Sequence, residues 1–402
     1  DNFRIHQLME LDACTRCGEC LKWCDAYTRE RLTAPQLKLS TFRSYLRGER
    51  LPPIIRRLFG GRTPSPEELE RLSQGVYTCT LCARCREVCP VKIDLLGMWQ
   101  SMRQELVERG VYPDKLDMAK ESIAEEHNVF SYPHDERALW VDFMDDAPDD
   151  LYQKEHADTL YFVGCIASFS PSVQGIAQTL ARFLSRVGID FTIMGEEEYC
   201  CGFPLLAAGM RREMEMVKEH NIQRVRETGA GRMVFGCPSC YRTWWHEYRD
   251  ALPDMEFIHS TQLIDNLLQE GKIELGEIRK RVTYHDPCDL GRNMGVYGPP
   301  RRVLSAIPGV EFVEMDESRE RSHCCGGGGD LEFHNPDLVS AVGDKTLAAM
   351  VATGADIAVT ACQQCKRMAL NARDRSGAEI EILDIAELVL SASGATDTKA
   401  QG

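Results

Sequence analysis

Ten cysteines in the second half of the chain fall into one pattern that occurs twice. Cys165, then Cys200-Cys201-Gly202, then Cys237-Pro238-Ser239-Cys240 read as a lone cysteine, a Cys-Cys-Gly and a C-x2-C. Cys288, Cys324-Cys325-Gly326 and Cys362-Gln363-Gln364-Cys365 repeat that order, with 35 and 36 intervening residues against 34 and 35 in the first copy. An internal duplication is the simplest cause. Thiolates so spaced are metal ligands, and each copy supplies five, one more than a tetrahedral zinc site or a four-iron cubane uses. The fifth requires a bridging ligand, a mixed-ligand iron or a spare thiol beside the cluster.

The remaining eight cysteines form two tighter runs, Cys14-x2-Cys17-x2-Cys20-x3-Cys24 and Cys79-x2-Cys82-x2-Cys85-x3-Cys89-Pro90. In a two-cluster ferredoxin the first three cysteines of a run hold one cubane and the fourth reaches the other. That rule groups Cys14, Cys17, Cys20 and Cys89 for one 4Fe-4S cluster, and Cys79, Cys82, Cys85 and Cys24 for the second. Structural zinc rarely places a fourth cysteine three residues after the third. Asp25 stands where proline normally follows the fourth cysteine, which alters the local turn and removes no ligand.

These thiols need elements to carry them. The 54 residues between Cys24 and Cys79 read as helical, with apolar residues at helical spacing over 37–46 and a capped start at Pro64-Ser65-Pro66-Glu67-Glu68. Between them, residues 51–62 mix apolar and basic side chains. They fit either a partner or membrane-surface contact or a loop with solvated arginines. A helix is predicted from Leu95 to Arg109, a breaker at Gly110, and an acidic linker from Asp142 to Asp150. Beyond it, strands are predicted at 159–163, 191–194, 233–236, 255–258, 282–284, 310–313 and 357–359, with helices near Ser170 and over 263–268. Such alternation implies parallel sheets with helices on their faces and ligands at the strands' carboxyl ends, where the cysteines sit. The fold class is α+β and α/β multidomain: an α-helical ferredoxin domain with linker over 1–150, then two duplicated α/β cysteine-rich domains over 151–275 and 276–402. A disordered tail is expected from Ser391.

Composition bounds the partners. The chain has 402 residues, 43% hydrophobic, and a formal charge of −15, which argues against nucleic acid. No apolar run approaches a membrane span and no secretory leader is expected, so the chain is read as cytoplasmic. Its 18 cysteines lie in clusters of ligand spacing, which favours free thiols over a disulfide framework. The run Cys324-Cys325-Gly326-Gly327-Gly328-Gly329 lets backbone approach a cluster and aim N–H groups at sulfur. Its spacing is not that of a phosphate loop.

The paired five-cysteine repeats resemble the cysteine-rich CCG domains of the heterodisulfide reductase catalytic subunit, and their fusion behind two ferredoxin runs resembles that family's D subunit. The resemblance spans nearly the whole chain and fills all ten positions: Cys165, Cys200, Cys201, Cys237, Cys240, Cys288, Cys324, Cys325, Cys362 and Cys365. It implies two non-cubane four-iron clusters beside the two cubanes, with a disulfide cleaved between them in two one-electron steps. His285 and His323, near ligands in the second repeat only, would either protonate a leaving thiolate or bond a cluster sulfur. His246 and His259 carry no comparable signal. Lacking a flavin fingerprint, the chain is expected to take electrons from a flavoprotein or membrane cytochrome subunit, with peripheral attachment on the inner face of the membrane. The iron-sulfur subunits of glycolate oxidase and anaerobic glycerol-3-phosphate dehydrogenase are similar in layout and offer the alternative, a relay towards quinone.

Overall fold

Short runs rich in β-branched and aromatic residues form two four-stranded, wholly parallel sheets, as burial on both faces demands. In this computed structural model, which describes residues 2–50, 65–148, 151, 154 and 156–393, the first sheet contains β1 (Thr159–Phe162), β2 (Phe191–Thr192), β3 (Arg232–Phe235) and β4 (Glu256–His259) in the order β2-β1-β3-β4. The second repeats it with β5 (Arg281–His285), β6 (Glu311–Val313), β7 (Ile357–Thr360) and β8 (Glu381–Asp384) in the order β6-β5-β7-β8. Tyr161 pairs with Val234 in the first sheet, and Tyr284 takes the same place opposite Val359 in the second. The strand order reverses at β1/β3 and β5/β7, where a doubly wound sheet opens a crevice at its carboxyl edge.

The two cores differ in chemistry. Trp244 stacks on Tyr248 at 4.0 Å and meets Phe162 and Phe257 edge-on. Met315, Leu347, Met350 and Ile382 form an aliphatic counterpart in the second repeat. Three expectations need correction. Strand β8 went unread, because Glu381-Ile382-Leu383-Asp384 is too short and half polar to declare itself. The helix expected near Ser170 is two pieces, Cys165–Phe169 and Gly175–Arg186. At the far end, 391–393 finish the helix Ile385–Ser393 and are ordered rather than tail. The basic-apolar stretch at 51–62 and residues beyond 393 lie outside the described residues.

By its contacts the chain divides into two units: residues 1–120 with 204–212 and 326–342, and residues 121–203 with 213–325 and 343–402. Both sheets belong to the second unit, whereas the stretch following each Cys-Cys-Gly belongs with the ferredoxin helices. Those helices are Ile5–Ala13, Pro35–Arg50, Pro66–Tyr77 and Leu95–Glu108. Ser65 starts the third with a capping box: its hydroxyl accepts from Glu68 N at 3.2 Å, while Glu68 Oε2 accepts from Ser65 N at 2.9 Å. Asp94 caps the fourth, accepting from Gly97 N.

Inside the first unit, Arg103 gathers the inserted stretches. Fully buried on Leu95–Glu108, it donates from Nη1 to Ala207 O (2.7 Å) and Gly329 O (3.0 Å). From Nη2 it donates to Val76 O (3.1 Å) and Cys79 O (2.7 Å). Its guanidinium covers the Tyr77 ring at 4.8 Å, and Tyr77 OH donates to Ala208 O at 2.9 Å. Side chains are excluded at the contact: a Cβ on Gly329 would stand 2.2 Å from Cys79 O, and one on Gly209 would stand 2.5 Å from the Arg103 carbonyl carbon. Both glycines have positive φ.

Arg103→Met should therefore destabilise the first unit by at least about 3 kcal/mol, since several buried carbonyls lose a donor at roughly 1–3 kcal/mol each. Limited proteolysis should then open 204–212 and 326–342; unchanged protection would show that these stretches are held without the guanidinium. A pH effect follows from His259, the residue that caps Ser260–Gln269. Burial lowers its pKa to about 3, against a hydrogen bond with the Gly236 backbone. Its folded pKa lies below the unfolded value near 6.5, so its contribution is present above pH 6.5 and is lost as pH falls towards 3. By pH 5 roughly 2 kcal/mol should be gone. Denaturant unfolding at pH 7.5 and 5 should show this loss in the parent and a smaller one in His259→Asn.

Candidate metal centres

All 18 cysteines are free thiols, and the fold sorts them into two fours and two fives. In the first unit, burial and then the charges of Cys14, Cys17 and Cys89 raise the Cys20 pKa to about 11. Cys14, Cys17, Cys20 and Cys89 line one small pocket with Leu39 and Ile93. Burial, Cys79 and Cys82 raise Cys24 to about 11, and Cys85 is pushed well up by burial, Cys79, Cys82 and Cys24. Each four thus takes three thiols from one run and the last from the other. Arg16 and Gly18 in the first run, and Leu81 and Ala83 in the second, hold matching left-handed backbone. Such alternation forms concave loops whose N–H groups face an anion.

Asp25, at the position normally taken by proline, acquires a structural role. Its carboxylate accepts from Arg84 Nη1 at 2.9 Å with both side chains 2% exposed, and the Arg84 guanidinium lies 5.1 Å from the Trp23 ring centre. Since Arg84 sits between Cys82 and Cys85, the pair ties one run to the other.

In the second unit the lone cysteines follow β1 and β5 and the C-x2-C motifs follow β3 and β7, placing all four at the reversal points. The first five thiols form a hydrogen-bonded chain. Thiols of Cys200 and Cys240 bond Cys201 and pull its pKa down to about 6. Cys237 is lowered by Cys240 and by the N–H groups of Cys240 and Ser239. Cys165 is raised by its bond with Cys200 and by burial. In the second repeat, Cys365 is raised by Cys325, Cys362 and burial, and Cys288 by burial, with Cys324 and Cys325 acting on it. Cys365 N donates to Cys362 Sγ at 3.4 Å.

Among the described residues no three His, Cys, Asp or Glu side chains close to single-ion geometry. The donor sets are instead groups of soft thiols supplied with backbone N–H, the environment that iron-sulfur clusters require. Gly202 N–H bonds Cys200 and Phe203 N–H bonds Cys201. The glycine run after Cys325 departs from the sequence reading in part. Gly328 and Gly329 make their close approach to Thr80 O and Cys79 O, in the second ferredoxin run.

Several residues that position these centres were missed by the sequence reading. Gln363, fully buried beside Cys362, donates from Nε2 to Val163 O at 3.0 Å and accepts from Ala167 N at 3.2 Å, so the second repeat grips the Cys165 loop of the first. Reciprocally, Asp289 beside Cys288 accepts from Ser239 Oγ at 2.7 Å and Arg242 Nη1 at 2.9 Å, in the first repeat's C-x2-C helix. Asn221 donates to Cys200 O at 3.0 Å. Arg137 pairs with Glu198 at 2.9 Å, and Glu198 also accepts from Val163 N and Gly164 N. Polar residues of these types occur throughout the chain, and only the folded partner singles them out. Of the histidines, His323 pairs with Glu317 at 2.9 Å, His285 is buried at the end of β5, and His246 is exposed.

Residues 10–93 match the 4Fe-4S dicluster domain family, and residues 159–243 and 282–369 match the cysteine-rich domain family. Over 98% of its length the chain is 38% identical to the D subunit of the dihydromethanophenazine:CoB--CoM heterodisulfide reductase of Methanosarcina barkeri, covering 96% of that protein. It is 26% identical to an EtfAB:quinone oxidoreductase of Syntrophomonas wolfei, covering 98% of this chain and 59% of the relative. A crystal structure of a hypothetical protein from Helicobacter pylori shares the fold with TM-score 0.62 at 11% identity, over 99% of this chain and 74% of that one. Two ferredoxin-type runs, a duplicated cysteine-rich domain and this identity over almost the full length together place the chain in the family of heterodisulfide reductase D subunits, as an iron-sulfur oxidoreductase subunit.

Proposed function

We propose that this chain reduces a small-molecule disulfide at two non-cubane four-iron centres, one held by Cys165, Cys200, Cys201, Cys237 and Cys240 and the other by Cys288, Cys324, Cys325, Cys362 and Cys365. Two cubanes on the groups of four serve as the electron entry. The observation that carries this reading is the gathering of five thiols, twice, at the carboxyl edges of two sheets whose cysteine loops grip each other through Gln363 and Asp289. A relay needs four ligands per cluster; the fifth thiol and the mutual grip are what disulfide chemistry adds. Clusters bound there supply one-electron transfer and affinity for thiolate sulfur. The overall reaction takes two electrons and two protons and yields two thiols. The Methanosarcina relative is named for a CoB–CoM heterodisulfide, and a disulfide of that kind is the substrate class proposed here.

The chain's own residues shield the centres from water. Nine of the ten thiol-bearing residues are buried, Cys288 being the partly covered one, and Asn221, Gln363 and Asp289 fix the loops that carry them. The electron donor is a flavoprotein or a membrane cytochrome subunit of the same complex. Attachment to the membrane is through that partner, since among the described residues no helix is long and apolar enough to cross a membrane.

Electron paramagnetic resonance on anaerobically prepared protein, with and without thiol, tests the reading. A thiol-dependent signal should appear, and Cys325→Ser should abolish both the second centre's signal and disulfide reduction by an artificial donor while cubane signals persist, because a hard oxygen donor replaces a soft one. If fully loaded parent protein shows no thiol-induced signal and cleaves no disulfide, the relay function suggested by the quinone-oxidoreductase relative replaces this one.

A further inference from the structure

The two five-thiol sets are duplicated, but their charged surroundings are not. At the first, Arg137 donates from Nη2 to Cys165 Sγ at 3.5 Å and to His127 O at 2.9 Å. Its Nη1 donates to Glu198 Oε1 at 2.9 Å. Both members of this ion pair are 2% exposed. Glu198 is itself fixed by Val163 N and Gly164 N at 2.9 Å each, and the Arg137 guanidinium lies 5.3 Å from the Phe169 ring centre. The group therefore has one orientation, its positive N–H edge on the sulfur and its balancing carboxylate turned to the strand end.

The second set has a different arrangement beside its lone cysteine. Arg292 also acts on Cys288, but behind the stronger opposing charge of Asp289, and its Nη1 donates to Ser322 O at 2.6 Å and Glu320 O at 3.4 Å. Asp289, adjacent to Cys288, brings a carboxylate that Ser239, Arg242 and Asn293 hold in place. The second repeat's buried arginine–carboxylate pair, Arg301 with Asp286 at 2.8 and 2.9 Å, is bidentate, and its further bonds run to Glu314, Tyr297 O and Arg319 N. An N–H directed at a ligand sulfur stabilises the more negative, reduced state and raises the potential, whereas a nearby carboxylate opposes reduction.

Resting on the cluster assignment above, we infer that Arg137 is a positioning residue that makes the two centres unequal, holding the first-repeat centre at the higher reduction potential through its N–H bond to Cys165. With iron bound, Arg137 would make the first-repeat site the more readily reduced of the two.

An EPR-monitored redox titration of the full iron-loaded chain tests this, with Cys325→Ser used to identify the second centre's signal. In the parent the first centre should have the higher midpoint; equal or reversed midpoints would overturn the inference without any further variant. Arg137→Lys, which keeps a cation but loses the fork, and Arg137→Gln combined with Glu198→Gln, which leaves no buried lone charge, should both lower the first centre's midpoint. At the parent's midpoint the reduced-to-oxidised ratio should fall about tenfold, equivalent to ~59 mV for one electron, with the cubanes and second centre unmoved. Unshifted midpoints in an Arg137→Lys chain of full iron content would also overturn it. Failure of the five-thiol regions to bind iron at all would instead remove the assignment on which the inference stands.

Discussion

Buried sulfur that must carry negative charge needs N–H groups and cations around it, and most of the non-cysteine chemistry in this molecule meets that demand. Desolvation raises the pKa of Cys85 and Cys288, and hydrogen bonds from neighbouring thiols together with desolvation raise those of Cys165, Cys240 and Cys365, in the absence of iron, whereas the ligand state is the thiolate. Helix starts at Cys237 and Cys362, left-handed loops around Cys14–Cys20 and Cys79–Cys85, and Arg137 at Cys165 each offer positive charge or an N–H where sulfur is buried. Metal binding and proton release are coupled by this arrangement, because the thiols with raised pKa keep their protons until iron displaces them, whereas Cys201 and Cys237 are already shifted towards the thiolate.

Duplication explains the symmetric parts of the architecture, and the departures from it show where the copies have specialised. Both sheets share strand order, register and cysteine placement. The loops cross over, Gln363 reaching the first repeat by neutral hydrogen bonds and Asp289 reaching Ser239 and Arg242 by charged ones. One grip is insensitive to salt and the other is an ion pair. The aromatic core of Phe162, Trp244 and Phe257 likewise has an aliphatic counterpart, so the copies share a backbone plan while differing in what surrounds their thiols.

Much of this was legible from spacing. Cysteine positions are covalent facts, and ligand geometry allows few readings of a C-x2-C-x2-C-x3-C run or of a twice-repeated Cys-Cys-Gly. Seven of eight strands declared themselves by β-branched runs, and β8 did not because its two acidic ends leave only Ile382-Leu383. Arg103, Arg137, Glu198 and Gln363 were illegible for another reason: one arginine or glutamine among many acquires meaning only when distant backbone closes on it. Arg103 draws its partners from 76–79, 207 and 329. Asp25 was noticed as a departure, yet its partner Arg84, on the other cysteine run, could come only from the fold.

The central claim is that the ten cysteines of the duplicated domains hold iron in excess of what the two ferredoxin-type runs hold. Metal analysis of the anaerobically purified chain addresses it most directly. Four centres at ~4 irons each predict about sixteen irons per chain and no stoichiometric zinc. About eight irons accompanied by zinc would leave the ferredoxin region intact and contradict the account of the two five-thiol centres.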